Sequence, residues 1–178
     1  MDPITIHDKK FKISYPEAEI MKRVKAVADR INKDMKDKNP LFLAVLNGSF
    51  VFAADLMRLI TIPCEISFVK LASYQGTMST GKIKEVIGIN EDISGRTVII
   101  LEDIVESGLT MKRMIDSLGT RNPEVHICTL LLKPEKLTVD LNIEYAAMEI
   151  PNDFIVGYGL DYNQQGRNLR DIYTLVEE

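Results

Sequence analysis

Three short runs of apolar residues constrain the fold of this chain more than any other feature. They are Leu41–Leu46, Thr97–Leu101 and Val125–Leu132, and none of them contains Asp, Glu, Lys or Arg. A strand that is apolar on both faces must be covered on both sides, as happens in a parallel sheet between layers of helices. We therefore predict an α/β fold with a mainly parallel central sheet flanked by helices.

Helical and weaker strand patterns fill the intervals between these runs. Ser14, Pro16 and Glu17 form a capping-box pattern, and apolar residues follow on one helical face from Ile20 to Met35. We therefore predict a first helix that begins at this capping box. A second helix is expected from Phe50 to Ile60 and a third near Thr110, and further strands are expected at Cys64–Leu71, Val86–Asn90, Tyr145–Ile150 and Ile155–Tyr158.

Length and charge narrow the class of protein. The chain has 178 residues, with 22 Lys or Arg against 26 Asp or Glu, which gives a net charge of −4. We expect residues 1–178 to form one domain. The acidic balance argues against a nucleic acid partner, because clustered Lys and Arg neutralise phosphate backbones. No apolar run approaches the ~20 residues of a membrane span, and Met1-Asp2-Pro3 does not begin a signal peptide. We therefore expect a cytoplasmic protein without a membrane partner.

One polar segment interrupts the alternation of strands and helices. Residues Ser73–Lys84 include Gly76 and Gly81 and show neither helical nor strand periodicity. Long loops inside compact domains often carry function. We expect this segment to belong to a functional site.

The segment from Val98 to Thr110 carries the densest chemistry. A buried strand is expected to stop at Glu102-Asp103; Glu106 follows, and then Ser107-Gly108 leads into a helix. A glycine, hydroxyl groups and a helix N-terminus suit a phosphate. The carboxylates suit sugar hydroxyls or Mg²⁺ shared with substrate phosphates. A sugar phosphate would satisfy the whole segment, whereas the plain alternative is an acidic helix cap with Ser and Gly as turn residues.

This segment resembles the phosphoribosyl diphosphate (PRPP) binding motif of type I phosphoribosyltransferases. Other segments resemble the hypoxanthine-guanine phosphoribosyltransferase family, in that family's order and over about residues 40–175: Leu46–Phe50, Ser73-Tyr74, Leu132-Lys133, Phe154–Tyr162 and Arg167–Leu169. The resemblance implies the type I phosphoribosyltransferase fold, with a small hood region and a mobile lid loop. It also implies purine salvage, in which Mg²⁺-dependent transfer from PRPP to hypoxanthine and/or guanine gives IMP or GMP and pyrophosphate.

The resemblance assigns the binding of PRPP and of the metal ions to several segments. Glu102 and Asp103 would bind the ribose hydroxyls directly or through Mg²⁺, and Asp161 would help hold a second Mg²⁺. Asn47-Gly48 would form the pyrophosphate loop, and Arg167 would bind pyrophosphate. The 5-phosphate would be cradled by four consecutive residues, Ser107, Gly108, Leu109 and Thr110.

The resemblance assigns the purine base to other residues. Lys133 would reach the six-position oxygen and Glu106 would be the general base near N7. Phe154 would stack on the base, and the backbone near Ile155 and Asp161 would read its edge. Ser73 and Tyr74 would sit on the lid. The family also implies a homodimer or homotetramer.

Two departures from the family pattern keep alternatives open. The family usually has Asp where this chain has Glu106, and it often has Lys or Arg where this chain has Asn47. A non-catalytic regulator that binds PRPP or a nucleotide on the same fold is therefore the main alternative to an enzyme. A phosphoacceptor signalling domain also uses carboxylates and a strand-end Lys. It ranks last, because it would need an acidic pair early in the chain.

Overall fold

The computed structural model describes residues 2–72, 84–89 and 91–176 of the chain. Two short 3₁₀ helices, Gly119–Arg121 and Pro134–Lys136, accompany the main elements. In chain order the main elements are β1 (Ile4–Ile6), β2 (Lys9–Tyr15), α1 (Glu17–Asp34), β3 (Leu41–Leu46), α2 (Phe50–Met57), β4 (Glu65–Ala72), β5 (Lys84–Ile87), β6 (Thr97–Val105), α3 (Leu109–Leu118), β7 (Glu124–Leu132), β8 (Tyr145–Glu149), β9 (Ile155–Val156) and β10 (Ile172–Leu175).

Six strands form the central sheet, in the order β5-β4-β3-β6-β7-β8. Five of them, β4, β3, β6, β7 and β8, pair in parallel with their neighbours among the five. The sixth, β5, pairs antiparallel with β4 at the edge of the sheet. The predicted mainly parallel sheet is confirmed. The central strand β6 is longer than predicted, because Glu102 and Ile104 continue the parallel pairing with Thr129 and Leu131 of β7. The prediction that this strand stops at Glu102-Asp103 is therefore wrong.

Helices cover both faces of this sheet, as the apolar strands require. On one face, Phe42 of β3 and Ile99 of β6 are fully buried in the core to which α1 and α2 contribute. On the other face, Leu43 and Ile100 are fully buried in the core to which α3 contributes. Successive strand residues point to opposite faces, so runs without charged residues supply both cores.

A second, antiparallel sheet has the order β1-β2-β10-β9. It is a candidate for the small hood region that the resemblance implies, although β1, β2 and β10 were not predicted. These strands are short, and β2 pairs with β10 from the far end of the chain, as in Tyr15 against Ile172. A local pattern cannot reveal such a pairing. The sheet has its own small core around Phe11.

The capping box predicted at Ser14 is wrong. Ser14 belongs to β2, and its hydroxyl donates to the carbonyl of Ile172 (3.1 Å). Instead, the backbone N–H of Glu17 donates to Oδ1 of Asp171, at 2.7 Å. The first turn of α1 is therefore capped by a carboxylate that is distant in the chain.

The remaining boundaries differ by a few residues. α2 ends at Met57 rather than Ile60, because Asn32 binds the following turn through the Leu59 carbonyl (3.0 Å) and the Thr61 N–H (2.8 Å). The strand predicted at Ile155–Tyr158 stops at Val156, where Gly157 turns the chain. Most of the predicted polar loop, residues 73–83, lies outside the described residues. Within the described ranges, no helix has the length and apolarity needed to cross a membrane.

The cap on α1 gives a stability prediction. We expect D171A to lower the free energy of unfolding by about 1 kcal/mol, because the first turn of α1 loses its side-chain acceptor. D171N is the matched control, since its amide oxygen can still accept the Glu17 N–H. Urea denaturation of both variants measures the effect. Equal stabilities of D171A and the wild type would contradict this role.

Candidate active site

Several of the predicted site residues lie where the parallel strands end. Asn47 and Gly48 follow β3, Glu106 follows β6 and Lys133 follows β7. Ligands of open α/β sheets bind at this edge. The peptide bond between Leu46 and Asn47 is cis.

Glu102 and Asp103 form a pair of carboxyl groups at the end of β6. Glu102 is buried, and burial together with the charge of Asp103 raises the pKa of Glu102 well above its usual range. Among the described residues, neither carboxyl forms an ion pair with a Lys or Arg. Their oxygen atoms are the ligand type that Mg²⁺ prefers, and a cation there would relieve the repulsion between them. The pair therefore fits a metal ion shared with a substrate.

The loop that follows has the geometry of an anion cradle. Gly108 has a φ of +78°, and a Cβ built on it would lie 2.7 Å from Leu141 and 2.8 Å from Val139, so a side chain is excluded there. α3 begins at the next residue, with no acidic residue in its first turn. A cavity of about 220 Å³ opens over this loop, and its lining includes Glu102, Glu106 and Thr110. The unpaired N–H groups of a helix start suit a phosphate here.

Glu106 and Lys133 are in direct contact. The Lys133 Nζ lies 2.5 Å from Oε1 of Glu106 and donates to the carbonyl of Asp153 at 2.8 Å. Lys133 is only 5% exposed, whereas the Glu106 side chain is 43% exposed. Glu106 and Lys133, both predicted to contact the purine base, therefore lie side by side. Glu106, the more exposed of the two, also lines the cavity.

Phe154 adjoins this pair through Asp153. It is 45% exposed, and its ring meets Tyr162 edge-on at 5.6 Å between centroids and Phe11 at 6.1 Å. The next residue, Ile155, is buried in β9. Two aromatic rings therefore support Phe154 while part of its surface stays free for a planar ligand.

Close packing brings Gly48 against the Asp103 carboxylate and Gly159 against the Gly48 carbonyl. A Cβ built on Gly48 would lie 1.6 Å from Oδ2 of Asp103, and one built on Gly159 would lie 2.2 Å from the Gly48 carbonyl oxygen. Gly159, with a φ of +100° and a backbone oxygen in the way, therefore requires glycine, whereas a side chain at Gly48 would have to displace the Asp103 carboxylate. Arg167 joins this group by donating to the Gly159 carbonyl at 2.8 Å.

Asp161 lies with Arg167 rather than with the Glu102 pair. Its Oδ1 is 2.6 Å from Nη2 of Arg167, and its Oδ2 accepts the Gln164 N–H at 2.8 Å. Within the described ranges, no three side chains of His, Cys, Asp or Glu converge on one metal position. The role of Asp161 at a second Mg²⁺ stays a prediction.

Ser73 and Tyr74, predicted to sit on a lid, lie outside the described residues. Sequence reasoning missed the contributions of Asp153, Gly159 and the rings beneath Phe154. The sequence could have pointed to Gly159, because two glycines flank Tyr158 within the segment that resembles the family. Asp153 contributes only a carbonyl and Phe11 comes from the opposite end of the chain, so neither had a local signal.

Comparisons with known proteins identify the family of this chain. The family model of the phosphoribosyl transferase domain matches residues 15–163. The hypoxanthine-guanine phosphoribosyltransferase of Streptococcus pyogenes serotype M3 is 41% identical over 169 residues, which cover 94% of each chain. The hypoxanthine phosphoribosyltransferase of Buchnera aphidicola is 44% identical and covers 93% of this chain and 96% of its own.

Solved structures agree as well. The crystal structure of a hypoxanthine-guanine phosphoribosyltransferase from Bacillus anthracis superposes with a TM-score of 0.87 at 41% identity, covering 93% of this chain and 98% of that one. The type I phosphoribosyltransferase fold is therefore confirmed. On the family model, the relatives and the fold together, this chain belongs to the hypoxanthine-guanine phosphoribosyltransferase family.

Proposed function

We propose that this protein transfers the 5-phosphoribosyl group of PRPP to hypoxanthine and/or guanine, which releases pyrophosphate and yields IMP or GMP for purine salvage. The observation that carries the proposal is the contact between Glu106 and Lys133, beside the half-exposed ring of Phe154 and at the mouth of the anion cradle. It sets a proton acceptor, a cationic donor and a stacking surface next to a phosphate site.

Lys133 supports recognition of a 6-oxopurine. Its ammonium group has three N–H donors, of which Glu106 and the Asp153 carbonyl take two. The third can donate to an oxygen at the six-position of the base. An amino group there offers no comparable acceptor, so the arrangement disfavours adenine. Phe154 holds the ring plane, and the backbone near Ile155 and Asp161 reads the base edge.

Glu106 acts as the general base in this proposal. As the bond from the ribose C1 to the pyrophosphate oxygen breaks and the bond to the purine nitrogen forms, the base loses a proton, and Glu106 accepts it from N7. The ion pair with Lys133 holds the Glu106 carboxylate at the cavity, within reach of a bound base. Glu106 is one methylene longer than the Asp usual in the family, and its carboxylate contacts Lys133 while it lines the cavity.

The ribose phosphate end lies along β6 and the start of α3. Ser107, Gly108, Leu109 and Thr110 cradle the 5-phosphate, and Glu102 with Asp103 holds the ribose hydroxyls directly or through Mg²⁺. When bound, Mg²⁺ neutralises charge on the leaving pyrophosphate. Because Asn47 carries no charge, pyrophosphate binding depends on Arg167, a cation that contacts the segment packed against the Asn47-Gly48 loop.

An apolar surface supports a homodimer or homotetramer. Phe50 is 44% exposed, Ile66 37% and Phe68 41%. Ile66 and Phe68 lie two residues apart on β4, so they share one face of the strand. Exposed clusters of large apolar side chains commonly mark contact surfaces. Sedimentation velocity tests this proposal, and a strictly monomeric species would contradict it.

The cytoplasm is the proposed compartment. Cys64 and Cys128 are both free thiols, and burial raises the pKa of each thiol. Unpaired thiols are usual in a reducing compartment.

The function is tested by incubating the protein with PRPP, Mg²⁺ and each of hypoxanthine, guanine, xanthine and adenine. We expect nucleotide from hypoxanthine or guanine and none from adenine, because Lys133 favours an oxygen at the six-position. Chromatography of the products measures the outcome. Failure to form nucleotide with any base would contradict the enzyme and favour the non-catalytic regulator.

The role of Glu106 predicts a difference between two substitutions. We expect E106Q to lower kcat about 100-fold, since the amide cannot take the proton. E106D keeps the carboxylate and should retain most of the turnover. Steady-state rates with hypoxanthine measure both variants. Near-normal kcat in E106Q would eliminate Glu106 as the general base.

The packing of Gly48 predicts a third effect. We expect G48A to lower kcat/KM for PRPP at least about 100-fold, because the new methyl group would displace the Asp103 carboxylate. G119A is the control, since a Cβ there meets nothing within 4 Å. Equal kcat/KM values for G48A and G119A would show that the close approach of Gly48 to Asp103 is dispensable.

A further inference from the structure

The segment Gly157-Tyr158-Gly159 has an unusual backbone. Its three residues have φ values of +105°, +50° and +100°, and the middle one is a tyrosine that is only 2% exposed. L-residues with large side chains rarely adopt positive φ, and such a conformation persists where the surroundings hold it. Something must therefore fix Tyr158 in place.

The same segment supports the pyrophosphate side of the site. Gly159 packs against the carbonyl of Gly48, and its own carbonyl accepts the Arg167 side chain. Backbone pairing ties the two stretches further, because Gly159 N–H donates to the Arg167 carbonyl (3.0 Å) and Tyr158 N–H to the Leu169 carbonyl (2.9 Å). A shift of this segment would move Gly48 and Arg167 relative to each other.

The hydroxyl of the tyrosine contacts the Met21 sulfur at 3.6 Å and, more closely, a carboxylate. The Tyr158 hydroxyl donates to Oδ2 of Asp55 at 2.6 Å, and Asp55 lies on α2, which begins just after the Asn47–Ser49 loop. Burial raises the pKa of the Tyr158 hydroxyl, so it remains a neutral donor. A hydrogen bond to a carboxylate is among the stronger ones in proteins.

We propose that Asp55 and Tyr158 are positioning residues for pyrophosphate and the pyrophosphate end of PRPP. Their hydrogen bond joins α2 to the Gly157–Gly159 segment, and so fixes the Gly48 loop and the Arg167 guanidinium at one separation. Neither residue touches the base-side pair of Glu106 and Lys133 among the contacts described. The inference rests on the proposed function, which supplies the identity of the ligand.

The chain offers a matched control. Tyr145 is 3% exposed, and its hydroxyl donates to Oδ2 of Asp34 at 3.1 Å, on β8 and the end of α1. Y145F and Y158F each remove one hydroxyl from a buried tyrosine that is bonded to an aspartate. Any general cost of losing such a bond is therefore common to both variants.

The test measures binding of Mg²⁺-pyrophosphate by calorimetry, and KM for PRPP and for hypoxanthine by steady-state kinetics. We expect Y158F to weaken pyrophosphate binding and to raise KM for PRPP about tenfold, with KM for hypoxanthine unchanged. Y145F should leave all three values at the wild-type level. D55A should behave like Y158F, whereas D55N should restore binding because its amide oxygen still accepts the hydroxyl.

The outcomes separate this inference from the proposed function. Wild-type pyrophosphate affinity in both Y158F and D55A, or equal losses in Y158F and Y145F, would overturn the positioning role. A parallel rise in KM for hypoxanthine would also overturn it, because it would indicate a general disturbance of the site. A wild type that binds pyrophosphate but forms no nucleotide would contradict the proposed function alone, and the calorimetric comparison would still decide the inference.

Discussion

The parallel pairing of β6 with both of its neighbours is the constraint on which the rest of the molecule depends. β3 and β7 each lie beside β6 in the same direction, so the residues that follow these three strands emerge at one edge of the sheet. The acidic pair, the anion cradle, the Gly48 loop and Lys133 all lie there as a result. The apolar runs form strands that are buried on both faces of the sheet. The same runs therefore position the functional residues that lie at the ends of these strands.

The carboxyl groups at this edge of the sheet differ in whether a Lys or Arg of the described chain pairs with them. Glu106 is matched by Lys133 and Asp161 by Arg167, so these carboxylates are neutralised within the protein. Glu102 and Asp103 are not matched by a described Lys or Arg, and the burial of Glu102 makes that lack costly. The net charge of −4 is therefore a poor guide to the ligand, because part of the acidic surplus is this carboxyl pair, which no described Lys or Arg neutralises.

The sequence predicted the features that depend on neighbouring residues. The buried strands, the helices between them and the motif around Glu102–Thr110 could be predicted because each has a local pattern. Features that depend on distant partners could not be predicted. Asp171 caps α1 from 154 positions away, and the Asp153 carbonyl that holds Lys133 has no side-chain signature. The segment that begins at Phe154 could be recognised by its resemblance to the family. The contacts of the Phe154 ring with Phe11 and Tyr162 could not be predicted, because they form only when the chain is folded.

The second sheet has a consequence for how the protein is made. Its two inner strands, β2 and β10, come from opposite ends of the chain and pair with each other, and β9 pairs with the other side of β10. During synthesis, the anion cradle can pack only after Val139 and Leu141, which lie against Gly108, have left the ribosome. The stacking surface around Phe154 must wait until residues 172–175 have been translated. The residues that complete the anion cradle are therefore translated before those that complete the sheet around Phe154.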